Sequence, residues 1–128
     1  MVERRREVNY KAWFDEDKGV LNVKTYKTMD AKDVHVLMPQ IEKMFKGRKH
    51  RFILGDLSDN PTDPLTKEAR QAFKQYSDVE YDRIAVTGVN PFTRMVVKIA
   101  VKIVGQSDKT RFFKTEDEAL AWLKGDAK

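Results

Sequence analysis

The chain has 128 residues, 41% of them hydrophobic and 35% charged, with 25 lysines and arginines against 20 acidic residues and a net charge of +5. That length suits one domain with a self-sufficient core, and so small and dispersed a cationic surplus excludes the concentrated basic footprint of a nucleic-acid binder. The lack of cysteine excludes disulfide frameworks, thiolate metal sites and thiol nucleophiles.

In chain order, Arg4, Arg5 and Arg6, flanked by Glu3 and Glu7, come first. Residues 1–7 are expected to form a disordered, solvated tail, with an anionic-surface anchor as the competing reading. Residues 8–125 are expected to form the single domain. No apolar stretch of the secretory kind follows the tail, so a cytoplasmic protein is expected, with peripheral membrane association as the further option.

Val8, Tyr10, Ala12 and Phe14 alternate with Asn9, Lys11 and Trp13, which predicts a strand. Asp15 to Gly19 is a hairpin connection with Gly19 free to take positive φ. Val20 to Lys27 is then a second strand, antiparallel to the first. Asp30 caps a predicted helix from Ala31 to Lys46, whose buried stripe is Val34, Leu37, Met38, Ile41 and Phe45. Pro39 lies inside it and removes one backbone hydrogen bond. His35 and His50 read as ordinary surface histidines.

Phe52, Ile53 and Leu54 are a continuous apolar run, hence a central strand, ending in Gly55-Asp56-Leu57-Ser58-Asp59. Asp63 and Pro64 are a cap and first-position pair for a second helix, Pro64 to Tyr76, with the stripe Leu65, Ala69, Ala72, Phe73 and Tyr76. Ile84 to Val89 is another buried strand, broken by Asn90-Pro91, where Asn90 caps and Pro91 opens a third helix. In that helix Phe92, Met95, Val96, Ile99, Ala100, Ile103 and Val104 recur at helical spacing, while Arg94, Lys98 and Lys102 make one cationic row. Gly105 ends it. Thr110 to Lys114 is the last strand. Thr115 and Glu118 have the spacing of a capping box ahead of a short helix carrying Ala119, Leu120, Trp122 and Leu123. Strands alternating with helices imply an α/β fold with a mostly parallel sheet of five strands, the first antiparallel, and four helices.

The third helix admits two readings. Its wide apolar face can pack on the sheet while its cations are solvated. Alternatively it is an amphipathic helix that lies on a lipid surface or covers a lipid-sized cavity, with Arg94, Lys98 and Lys102 facing anionic head groups. Val97 and Val101 widen the apolar arc beyond one sheet-facing stripe. A transmembrane span needs ~20 apolar residues, which this cation-bearing segment does not supply.

Little points to catalysis. Asp56, Asp59 and Asp63 cluster near a strand end, but without calcium-loop spacing, and loop solvation and capping account for them. Gly88-Val89-Asn90-Pro91 lacks the Gly-rich or Lys-Ser/Thr pattern of a phosphate loop. Nucleophile motifs are missing as well. No enzyme, metal or cofactor is expected.

Three stretches, IAVTGVNPFTRMVVKIAVKI (84–103), GDLSD (55–59) and RFFKTEDEALAWL (111–123), together with the element order, make the chain similar to the STAS family. The likeness is to its SpoIIAA-like branch, which is related in fold to CRAL-TRIO lipid-transfer domains. The resemblance implies a sheet in sequential order with helices mostly on one face. It also implies a third helix that moves in some relatives, for which lipid or membrane association has been proposed. The phosphorylatable Asp-Ser-Ser/Thr-Gly type motif of anti-anti-sigma factors is not matched by Pro61 to Thr66.

The expected function is therefore a non-catalytic STAS-like domain that binds an apolar ligand or membrane surface. The candidate contact residues are Phe92, Arg94, Met95, Val97, Lys98, Val101 and Lys102. The alternative is a protein-interaction or regulatory module resembling anti-sigma-factor antagonists, homodimeric or with another protein partner, with Ser58, Thr62 and Thr66 as a regulatory loop. No nucleic acid is expected.

Overall fold

The computed structural model describes residues 9–60 and 63–125. The expected tail at 1–7, Val8 and candidate residue Thr62 lie outside them. Within them the chain forms strands β1 (Tyr10–Asp15), β2 (Val20–Thr25), β3 (Phe52–Asp56), β4 (Arg83–Thr87) and β5 (Thr110–Phe113), and helices α1 (Ala31–Phe45), α2 (Lys67–Ala72), α3 (Pro91–Ile103) and α4 (Glu116–Leu123). The strands make one sheet in the order β1-β2-β3-β4-β5. β1 and β2 are antiparallel, with Tyr10 opposite Thr25 and Asp15 opposite Val20. The remaining pairs are parallel.

Sequential order dictates where the helices go. Each parallel step from β2 to β5 moves the same way along the sheet, so right-handed crossovers place α1, α2 and α3 on one face. Only α4, after the last strand, is free to fold back onto the other. The core divides accordingly. Leu21 and Ile53 meet Val34, Leu37, Ile41 and Phe45 of α1, with Ala69, Val96 and Ala100 from α2 and α3. On the opposite face Val20, Leu54 and Ala85 meet Ala119, Trp122 and Leu123. β3 and β4 are thus covered on both faces, which explains the apolar runs Phe52–Leu54 and Ile84–Val86.

The termini of the helices follow local chemistry. Asp30 accepts from Asp33 N, and Asp33 returns the bond to the Asp30 amide. Asn90 and Thr93 form the same reciprocal pair ahead of α3, with Pro91 in its first turn. The box expected at Thr115 is half made: Thr115 accepts from Glu118 N, without the return bond.

The second helix departs from its expected span. Asp63 and Pro64 do not start it; Thr66 caps it, accepting from Ala69 N. The segment before it is held extended, because Met29 N donates to the Pro64 carbonyl and Thr66 N to that of Met29. Asp63 accepts instead from Leu65 N, a local Asx-type turn. After Ala72 the helix tightens into a 3-10 turn, Phe73–Tyr76. Thr66→Ala should lower stability by about 1 kcal/mol in denaturant unfolding.

Tyr81 stands just before β4, buried between α1 and the sheet, and its Oη has no hydrogen-bond partner among the described residues. Burial pushes its phenol well above the ordinary value; Glu42 adds to the shift and Arg51 opposes it. An unsatisfied buried hydroxyl costs stability, so Tyr81→Phe should be neutral or stabilise by about 1 kcal/mol at pH 7. The raised phenol also means that the folded form resists ionisation. Stability tied to Tyr81 is full below pH ~10 and is lost as pH rises above it, since only the unfolded chain ionises freely there. Tyr81→Phe should flatten that alkaline loss in unfolding curves.

Candidate functional site

Helix α3 is the outermost of the three helices on its face, flanked by α2 and the 3-10 turn on one side and open on the other. Its inward surface is Thr93, Val96, Ala100 and, just past the last turn, Val104, all buried. The apolar set expected from spacing therefore splits. Val96, Ala100 and Val104 enter the core. Phe92, Met95 and Ile99 remain 49%, 52% and 43% exposed, three of the five large hydrophobic side chains so exposed among the described residues. At about 100° per residue these three share a ridge, and Arg94, Lys98 and Lys102 run beside it on the flank toward β5.

The reason is geometric. A helix buries one stripe against a sheet, and α3 has an apolar arc wider than that stripe.

The structure distributes the seven α3 candidates over three surfaces. Phe92 and Met95 are on the ridge. Arg94, Lys98 and Lys102 are exposed on its flank. Val97 and Val101 are half-buried and turned inward, so they belong to the helix underside and not to an outward contact surface. Beneath them lies an apolar cavity of about 170 Å³, bounded also by Ile41 of α1 and by Ile53, Ile84 and Val86 of the sheet.

On the flank, the cationic row faces a groove over β5. Its space of about 520 Å³ is bordered by Arg94, Lys98, Val101, Lys102, Ser107 and Phe112. Successive β5 side chains point to opposite faces. Phe112 therefore lies under α3, with the Arg94 guanidinium 4.8 Å from its ring centre. Arg111 points the other way and stacks on Trp122 at 5.3 Å. Past Arg94 the groove continues into a second hollow of about 680 Å³ by Asn90, Phe112 and Lys114.

Among the described residues, no acidic side chain borders either hollow. Elsewhere, several cations are matched. Arg48 grips Glu16 through two bonds of 3.1 and 2.8 Å, Arg51 grips Glu42, and Lys109 meets Glu80 at 3.0 Å. Arg94, Lys98, Lys102 and Lys114 form no ion pair among the described residues. The positive field of the groove is thus uncompensated. Spacing alone showed the cationic row. It did not show Ile99 as a ridge residue, nor Ser107, Phe112 and Lys114 as the opposite wall, because only the sheet order brings α3 and β5 together.

The loop candidates lie apart from this surface. Ser58 donates to the Asp56 carboxylate at 2.7 Å, and Thr66 is occupied as the α2 cap. Asp56 and Asp59 flank Lys24, at 3.7 and 3.0 Å. The Asp59 hydrogen bond is the main cause of the raised Lys24 value. Among the described residues no three His, Cys, Asp or Glu side chains are grouped to hold a metal. No helix there is long and apolar enough to cross a membrane.

Comparison with known proteins agrees with this architecture. The profile of the SpoIIAA-like family matches residues 20–124. Among solved structures, the fold is similar to that of an uncharacterized protein of the DUF3478 family with a SpoIIAA-like fold from Shewanella loihica PV-4. That likeness has a TM-score of 0.64 and 19% identity, over 89% of this chain and 91% of the other. No curated protein matches.

Proposed function

The chain belongs to the SpoIIAA-like family, and from that premise we propose that it is a non-catalytic STAS-like binding domain that docks on anionic membrane surfaces through α3. One observation carries the reading: the exposed apolar ridge Phe92, Met95 and Ile99 lies beside three cations that no acidic side chain among the described residues neutralises. A helix lying in the head-group plane needs that combination, with apolar side chains entering the acyl boundary and cations above them meeting lipid phosphates. Each ridge side chain fully withdrawn from water contributes about 1.5–3 kcal/mol, so partial entry of three is sufficient for reversible attachment. Each cation close to an anionic leaflet adds about 1 kcal/mol.

Co-sedimentation with vesicles tests the reading. Vesicles rich in phosphatidylserine should retain the protein at low salt and release much of it as ionic strength rises, whereas phosphatidylcholine vesicles should retain little. Equal retention by both lipids, or by neither, removes the proposal. Light scattering without lipid distinguishes it from a homodimer that buries the same ridge.

A further inference from the structure

β5 is an edge of the sheet, with β4 on one side and no strand on the other among the described residues. Apart from bonds to β4, no backbone amide or carbonyl of Arg111, Phe112 or Phe113 has a hydrogen-bond partner there. An edge strand of this kind presents a row of unpaired donors and acceptors. We propose that it takes up an acidic, extended segment of a partner protein as a sixth strand, laid under the cationic flank of α3. This goes beyond membrane docking and does not rest on it, since the segment occupies edge and flank and leaves the ridge outside.

The groove has the dimensions of a strand. α3 runs antiparallel to the strands it connects. Lys102 therefore stands toward the start of β5, near Ser107 and Thr110, and Arg94 toward its end, near Phe112 and Lys114. From Arg94 to Lys102 the helix rises about 12 Å. The four residues of β5 extend about 13 Å. A strand paired to β5 would lie about 4.8 Å beyond it, in the space of about 520 Å³ that the groove leaves open. Side chains on one face of a strand recur about every 6.7 Å, and the three cations succeed one another about every 6 Å. Acidic residues at alternate positions of the added strand thus meet Arg94, Lys98 and Lys102 in turn.

Charge selects the partner. The three α3 cations and Lys114 form no ion pair among the described residues, so an acidic segment finds them available and a basic one is repelled. On the opposite face Arg111 is stacked on Trp122, and the first turn of α4 follows with Glu116, Asp117 and Glu118. Side chains pointing that way are better uncharged. The segment that fits therefore alternates acidic with neutral residues, the period of a strand and not of a helix. A second copy of this chain does not fit. Two-fold pairing of β5 with itself sets one row of Arg94, Lys98 and Lys102 against the other, the protection that charged edges give against self-association.

Fluorescence anisotropy of a labelled decapeptide alternating glutamate with valine, titrated with the whole chain at low salt, tests the proposal. Saturable one-to-one binding is expected. A peptide of the same composition with its glutamates in one block should bind about fivefold more weakly. A single-stranded oligonucleotide of equal charge should bind no better than the blocked peptide. The alternating peptide N-methylated along its backbone keeps its carboxylates but loses its donors, and should bind as weakly. Lys98→Glu should weaken the alternating peptide about tenfold. Amide hydrogen exchange then places the peptide: the outward amides of β5 should slow on binding, and those of β1, the other edge, should not. No binding, equal binding of the blocked or N-methylated peptide or of the oligonucleotide, or unchanged exchange in β5 would overturn the proposal.

Discussion

Gly88→Ala is expected to destabilise the protein by about 3 kcal/mol or more, read as a fall in the denaturation midpoint. Gly88 has φ +76°, and an added Cβ would stand 2.3 Å from Ser58 N and 2.6 Å from Ser58 Cα. Both are backbone atoms, so no side chain can swing aside. The two turns are drawn together because Leu57 N donates to the Thr87 carbonyl at 3.0 Å, just beyond the paired ends Asp56 and Thr87 of β3 and β4. Relief requires parting those strand ends and displacing the start of α3. Gly19 provides the control: its φ is +70°, but a Cβ there meets nothing within 4 Å. Gly19→Ala should therefore show only the backbone cost of about 1–2 kcal/mol. Equal losses at both positions would show that the close approach to Ser58 contributes nothing.

Lys98→Glu combined with Lys102→Glu should weaken attachment to anionic vesicles by about 4 kcal/mol, near a thousandfold. Each lysine lost removes about 1 kcal/mol, and each carboxylate gained adds a repulsion of similar size. Both side chains are exposed and neither forms an ion pair among the described residues. Folding stability should accordingly change by less than about 0.5 kcal/mol. That separation matters, because lost retention in a well-folded variant can only come from the surface. If the double variant co-sediments as the unaltered protein does, the cations play no part in docking.

The sequence carried most of the fold because its local signals agree with one another. Asp30 and Asn90 sit where capping chemistry places them, and the stripe from Val34 to Phe45 is buried as its period requires. α2 is where local reading failed. Asp63-Pro64 is a good helix start in isolation, but bonds between the Met29 and Pro64–Thr66 backbones hold that stretch extended. Such pairing spans 35 residues of sequence, as also seen in the Thr28 hydroxyl donating to the Asp63 carbonyl at 2.5 Å, and no local pattern announces it.

The candidate surface was legible in the same uneven way. Arg94, Lys98 and Lys102 fall on one flank by period alone. Periodicity marks side chains as apolar without saying which find a neighbour, so Ile99 looked like Val96 and only tertiary packing separated them. Val97 and Val101 were named as contact residues for an apolar ligand or a membrane surface, and packing leaves them half-buried at the border of the cavity beneath α3. Phe112 gives its face only once β5 is known to be the strand beside β4.

The most direct test of α3 docking uses the absence of cysteine. Met95→Cys, labelled with an environment-sensitive fluorophore, reports from the ridge, and the same label at Val36→Cys reports from another exposed apolar position, on α1. With phosphatidylserine vesicles the label at 95 should shift to the blue and be quenched by brominated acyl chains, while the label at 36 stays unchanged. Emission at 95 that ignores the vesicles, or a response at 36 equal to that at 95, would contradict the account.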